Sequence, residues 1–162
     1  MSVYEKRRKD SGVYFLRVVT DLRSETIRIT KKFPKSMWTS ITRNLIKMTA
    51  SIYKNCLKGN DIYMYADMDK EDYKLRKKYF MKARTKADAM SAEITFCYAY
   101  IRDNSVDMTR RDRNRIFKNW SLIAMQAANL IKKVIDADKA RWRKWKEDRK
   151  KDKKEKITIS IT

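Results

Sequence analysis

FMKARTKADAMSAEITFCYAYI, residues 80–101, sets the reading of the whole chain. Phe80, Ala83, Ala87, Met90, Ile94, Cys97 and Ile101 recur at steps of three and four, the spacing of one buried face of an α-helix. The intervening positions are charged or polar, and no glycine or proline interrupts them. Alanines on the apolar stripe predict close approach of a neighbouring helix. Upstream, Asp69 suits an N-cap, and Glu71 and Asp72 suit the positive end of the helix dipole.

The same periodicity extends in both directions. Phe15, Val19, Leu22, Thr26, Ile29 and Phe33 predict a first helix from Val13 to Lys32, ended by Pro34, which lacks an amide proton and disfavours helical geometry at Phe33. Met37, Ile41, Leu45, Met48 and Ile52 predict a second, from Lys35 to Lys58, with Gly59 and Asn60 as its stop. Ile62, Tyr63, Met64 and Tyr65 are expected to fold back onto the end of the bundle. Asn104 and Ser105 break the third helix, and Asp107 is a candidate cap for a fourth. That helix has the stripe Ile116, Trp120, Ile123, Ala127, Leu130, Val134 and Ala137.

Four helices with short connections predict an all-α, up-down-up-down four-helix bundle. The expected organisation is a mobile basic N-terminus at 1–12, the bundle at 13–140, and a basic, tryptophan-containing extension at 141–162. Two glycines and one proline are too few for the turns of an all-β fold. The final ITISIT alternates like a strand but is too short to hold one alone.

Composition narrows the function. Lys and Arg number 41 against 20 Asp and Glu, giving a formal charge of +21. Such an excess opposes folding by self-repulsion and attracts polyanions. Third-helix cations include Lys70, Lys74, Arg76, Lys77, Lys78, Lys82, Arg84 and Lys86. The fourth helix begins with Arg110, Arg111, Arg113, Arg115 and Lys118, at a helix end whose dipole disfavours cations. Phosphate is the simplest ligand for them, and a solvated, solubilising face is the alternative. Trp142 and Trp145, among Arg141, Arg143, Lys144 and Lys146, suit stacking on unpaired bases. Equally, they suit a continuation of the fourth helix's apolar face.

Histidine is absent. A bundle di-iron site built on Glu-x-x-His motifs is therefore excluded, and a serine or cysteine nucleophile would lack its usual base. Asp61, Asp67, Asp69, Glu71 and Asp72 read as caps and a solvated loop, with Mg²⁺ binding as the alternative. Cys56 and Cys97 read as packed, reduced thiols. The start MSVYEKRRKD has no apolar signal core, and no apolar run nears the ~18 residues of a membrane span. The expectation is a soluble, intracellular protein that is not an enzyme and needs no cofactor or metal.

Two segments carry a resemblance. FPKSMWTSITRNLIKMTASIYKNCLKGN resembles the second helix of the four-helix-bundle proteins that include those encoded by 23S ribosomal RNA intervening sequences. DYKLRKKYFMKARTKADAM, residues 72–90, resembles the third-helix signature of the accessory variability determinant proteins of diversity-generating retroelements, carried by Asp72, Arg76, Tyr79, Phe80 and Ala83. ARWRKWKEDRKK resembles that family's basic ending at Trp142, Arg143 and Lys144. The chain departs from the pattern in lacking histidine and in ending on ITISIT.

The resemblance implies a cytoplasmic protein encoded by a bacterium or phage, forming a ring-like homopentamer. It implies a non-catalytic role, binding template RNA or cDNA and the element's reverse transcriptase in mutagenic retrohoming. An RNA- or ribosome-associated bundle without a polymerase partner is the alternative. The residues expected to touch nucleic acid are Arg76, Lys77, Arg84, Arg110, Arg111, Arg113, Arg115, Arg141, Trp142, Arg143 and Lys144. Arginine is favoured because its planar fork grips two phosphate oxygens.

Overall fold

Side chains satisfy orphan backbone groups at the starts of the last two helices, whereas the second begins without such a cap. The computed structural model describes the backbone of residues 3–104 and 108–159, and the side-chain surroundings of 14–104 and 108–151. The described residues form α1 (Val3–Thr30), α2 (Arg43–Asp61), α3 (Lys70–Asp103) and α4 (Arg110–Ile159), with no strand. This all-helical architecture is compatible with a four-helix bundle. Helices α1 and α3 each pack against both α2 and α4.

Helix α1 begins ten residues earlier than the stripe predicts, so residues 3–12 are helical rather than a separate arm. It stops before Pro34, as expected. The chain then makes a 3₁₀ turn (Lys35–Met37) and a π-helical turn (Trp38–Thr42) before α2 starts. The predicted second helix is therefore α-helical only from Arg43. The Trp38 indole N–H donates to the Phe33 carbonyl at 3.0 Å, fastening this wound-up entry to the end of α1. The Thr42 hydroxyl is buried there without a partner among the described residues.

Asp69 caps α3 as its sequence predicts, its carboxylate accepting from the Asp72 amide at 2.8 Å. Asp107 and Ser105 lie outside the described residues. Thr109 caps α4: its hydroxyl oxygen accepts from the Asp112 amide at 3.1 Å and the hydroxyl donates to the Asp112 carboxylate at 2.8 Å. The first bond is an N-cap, and the second holds the Thr109 side chain in place for it. Asn55, one of the polar residues on α2, donates to the Ser51 carbonyl at 2.7 Å.

The core follows the predicted stripes on α1 and α3 residue for residue. On α4 it does not. Ala124, Ala128, Ile131, Ile135 and Asp138 are buried, whereas Ile123, Leu130 and Val134 flank the core and Ala137 is exposed. One end of the core is aromatic. Trp120 is fully buried against Phe33 and Phe117, with ring centroids 6.4 Å and 5.7 Å away. Its indole N–H donates to the Thr26 hydroxyl at 2.9 Å, which itself donates to the Leu22 carbonyl. These contacts, with the Tyr14–Gln126 hydrogen bond further along, show α1 and α4 running antiparallel.

Gly59 is not a helix stop. Helix α2 continues to Asp61, and Gly59 is buried within it. A Cβ built there would lie 2.9–3.0 Å from three atoms of the Phe80 ring. The glycine therefore lets α2 lie flat against that ring. A Gly59→Ala variant gains helix propensity of about 1 kcal/mol but forces the ring out of place, at roughly 1–3 kcal/mol for overpacking. The expected sum is a small net destabilisation, measured by urea unfolding, with a partial recovery when Phe80→Leu is added.

The connection from α2 to α3 is anchored by Met68, which is fully buried. The expectation for this segment was different: Tyr63 and Tyr65 are exposed and Ile62 and Met64 only half-buried. At the other end of the chain, α4 runs unbroken for 50 residues. The helix passes residue 141 without interruption, and the strand-like alternation of ITISIT is overridden as far as Ile159. At 1.5 Å per residue α4 spans about 75 Å. No helix among the described residues is long and apolar enough to cross a membrane.

Candidate nucleic-acid interface

Three concentrations of positive charge lie on this frame. The first is on α3. Seven basic residues and no acidic one fall between Asp72 and Asp88, so any neutralisation must come from outside the run. Arg76 is neutralised completely. The residue is 8% exposed, its Nε donates to Asp138 Oδ2 at 2.6 Å and its Nη2 to Oδ1 at 3.3 Å. Its Nη1 donates to the carbonyls of Gly59 and Ile62, both at 2.7 Å. The Gly59 carbonyl is one that the end of α2 leaves without an intrahelical donor. Arg76 thus closes the C-terminus of α2 and ties it to α3 and α4. It is a corner of the fold, not a surface ligand, and it leaves the set of expected nucleic-acid contacts.

Of the remaining α3 cations, Lys74 pairs with Glu71 at 2.7 Å and Arg84 with Asp88 at 3.5 Å. Lys77, Lys78, Lys82 and Lys86 are exposed. Lys78, Lys82 and Lys86 line an open groove of about 560 Å³ between α2 and α3, whose other walls are Ser51, Asn55, Met81 and Thr85. Not one lining residue is acidic.

The second concentration opens α4. Arg110 and Arg111 are exposed, and Arg115 pairs with Asp112 at 3.0 Å. Arg113 is half-buried, with its guanidinium 5.8 Å from the Tyr98 ring centroid. The Tyr98 hydroxyl donates to Asn114 at 2.7 Å, and both residues line a shallow recess of about 390 Å³ with Lys118.

The third follows Asp138. Arg141 reaches the Asp138 carboxylate at 3.7 Å, and Arg143 and Lys144 are exposed. Trp142 stacks on Tyr73 with centroids 4.4 Å apart and planes 3° from parallel. The Arg149 guanidinium lies 5.2 Å from the same indole centroid. Of the two readings open for Trp142, continuation of the apolar face describes these contacts. Burial, and then the Asp138 carboxylate, push the Tyr73 hydroxyl above its ordinary pKa, with Arg143 acting against them.

The expected site residues therefore do not converge. Arg113 and Arg143 lie 30 residues apart on one unbroken helix, about 45 Å of helical rise, with the α3 row on another helix. Lysines 78, 82 and 86 rank above the arginines as a concentrated site. Their four-residue spacing was legible, but the polar wall opposite them belongs to α2 and emerges only with helix pairing.

Groups suited to reaction chemistry are scarce. Burial pushes both thiols, Cys56 and Cys97, up to about 12, so neither forms a thiolate near neutrality. Among the described residues no three Cys, Asp or Glu side chains are placed to hold a metal ion. Comparison with protein-family models, with curated proteins and with solved structures returned no match.

Proposed function

We propose that this protein is a non-catalytic, nucleic-acid-binding accessory protein of a diversity-generating retroelement. Its exposed cations hold template RNA or cDNA, and further basic surface meets the reverse transcriptase during mutagenic reverse transcription. The observation that carries the nucleic-acid part is the net charge of +21 displayed on exposed helix faces, with long stretches lacking neighbouring carboxylates. The retroelement context comes from the likeness of residues 72–90 and of the basic C-terminal segment to that family.

A homopentameric ring is part of the same reading. Leu122 and Met125 on α4 and Phe96 on α3 are large, exposed apolar residues, the kind of surface that subunit contacts cover. Sedimentation of the purified protein reads the subunit number directly.

Binding that rests on phosphate contacts weakens linearly in log affinity against log salt. The full-length protein is expected to retard labelled RNA at low salt, and to lose on the order of a thousandfold in affinity between 50 and 200 mM salt if six or more phosphates are engaged. Unchanged RNA migration at micromolar protein and low salt would overturn the reading. Co-purification with a reverse transcriptase separates the retroelement role from an RNA- or ribosome-associated role without a polymerase.

A further inference from the structure

We propose that the groove between α2 and α3 is a track for one strand of unpaired nucleic acid, with successive phosphates seated on Lys78, Lys82 and Lys86. The inference rests on the nucleic-acid reading above and fixes both the place of binding and the form of the ligand.

The three lysines stand four residues apart on one ridge of α3, all exposed and all lining the groove. Each step advances about 6 Å along the helix and turns about 40° around it, so the cations form an inclined row at near-regular intervals. Like charges one turn apart destabilise a helix when nothing lies between them. No carboxylate lines the groove to relieve them. A row of external anions at a similar repeat would do so.

The facing wall supplies the Ser51 hydroxyl, whose oxygen accepts from Asn55 Nδ2 at 3.3 Å and whose proton suits a phosphate oxygen, and the Asn55 side-chain oxygen, an acceptor for a sugar hydroxyl. Lys47 and Lys58 share that side of α2 by helical spacing and extend the positive lining at both ends. Lys58 is already drawn over the Tyr79 ring, 5.5 Å from its centroid.

The form of the ligand follows from the shape. Packed helices have axes roughly 8–10 Å apart, so the trough between α2 and α3 admits a single backbone and not a duplex. Met81 gives the floor an apolar patch against which unstacked bases can rest.

The test uses the full-length protein and a triple variant, Lys78→Ala, Lys82→Ala and Lys86→Ala. Alanine at exposed helix positions favours the helix, and an unchanged thermal melt confirms the fold. A charge-matched control, Lys31→Ala, Lys132→Ala and Lys133→Ala, removes three exposed cations that belong to none of the three concentrations. Fluorescence anisotropy across a salt series measures binding of a short labelled uridine oligomer, a matched RNA duplex, and a poly-glutamate peptide as competitor.

The groove variant is expected to lose about tenfold or more in single-strand affinity, with the log-log salt slope falling by about 2, from three contacts at ~0.7 each. The control should lose clearly less. Equal losses in the two variants would remove the groove from the interface while leaving the protein a nucleic-acid binder. A loss confined to the duplex, or displacement of the oligomer by poly-glutamate at equal charge concentration, would overturn the single-strand assignment. Failure of the unaltered protein to bind any RNA would overturn the function itself.

Discussion

An Asp138→Ala variant is expected to lose about 3–5 kcal/mol of folding stability, because it strands a buried guanidinium without its counter-charge. Asp138 is 5% exposed and takes two hydrogen bonds from Arg76, which lies among Phe80, the end of α2 and the body of α4. Domains of this size carry about 5–15 kcal/mol in total. The loss should therefore appear as a fall in Tm of roughly 10 °C, or as a chain that no longer folds cooperatively. Urea titration followed by circular dichroism measures it. An Arg76→Met, Asp138→Leu pair removes both charges and keeps apolar volume. It should recover part of the loss, since a buried ion pair is itself worth little against well-packed apolar groups. Full recovery is not expected, because the carbonyls of Gly59 and Ile62 would lose their donor. A shift below about 1 kcal/mol for Asp138→Ala would mean that water reaches Arg76 and that the pair is a surface one.

Trp120→Ala is the second large effect, expected at about 3–5 kcal/mol. The indole fills the space between Phe33 and Phe117, at the end of the bundle where the chain passes from α1 to α2. Removing it leaves a cavity that helices cannot close without moving their backbones. Trp120→Phe separates packing from hydrogen bonding. The Thr26 hydroxyl would lose only an incoming bond and keep its own donation to Leu22, so the phenylalanine variant should lie well above alanine, at a cost of about 1–2 kcal/mol. Denaturant midpoints of the two variants give the comparison. Near-equal midpoints would show that the aromatic cluster repacks freely.

How far the chain could be read before its fold was seen depends on whether a residue's surroundings are local. The stripes of α1 and α3 were legible because their apolar residues stand at the right spacing with polar neighbours on each side. Helix α4 offers two overlapping choices. Ile123, Leu130 and Val134 compete with Ala124, Ile131 and Ile135, and small alanines weigh little against larger neighbours in any apolar count. The deciding residue is Asp138, which no hydrophobic pattern would bury. Its place in the core depends on Arg76, 62 positions earlier. The same distant pairing explains why Arg76 was expected on the surface.

Gly59 shows the limit from the other side. A glycine near a helix end reads as a terminator, yet here the requirement comes from a ring on the next helix. The stacking of Trp142 on Tyr73, a residue of α3, likewise emerges only with helix pairing. For the interface, the sequence displayed the charge but not its sorting. Ion pairs withdraw Lys74, Arg76, Arg84 and Arg115 to differing degrees, and helix pairing assembles Lys78, Lys82 and Lys86 into a row.

The unbroken course of α4 has a mechanical side. A pliant linker would let its two charged ends wander, with a separation that changes as salt screens their repulsion. An unbroken helix works as a calliper instead: it keeps the charged stretches around Arg113 and Arg143 at one spacing, set by the number of peptide units between them.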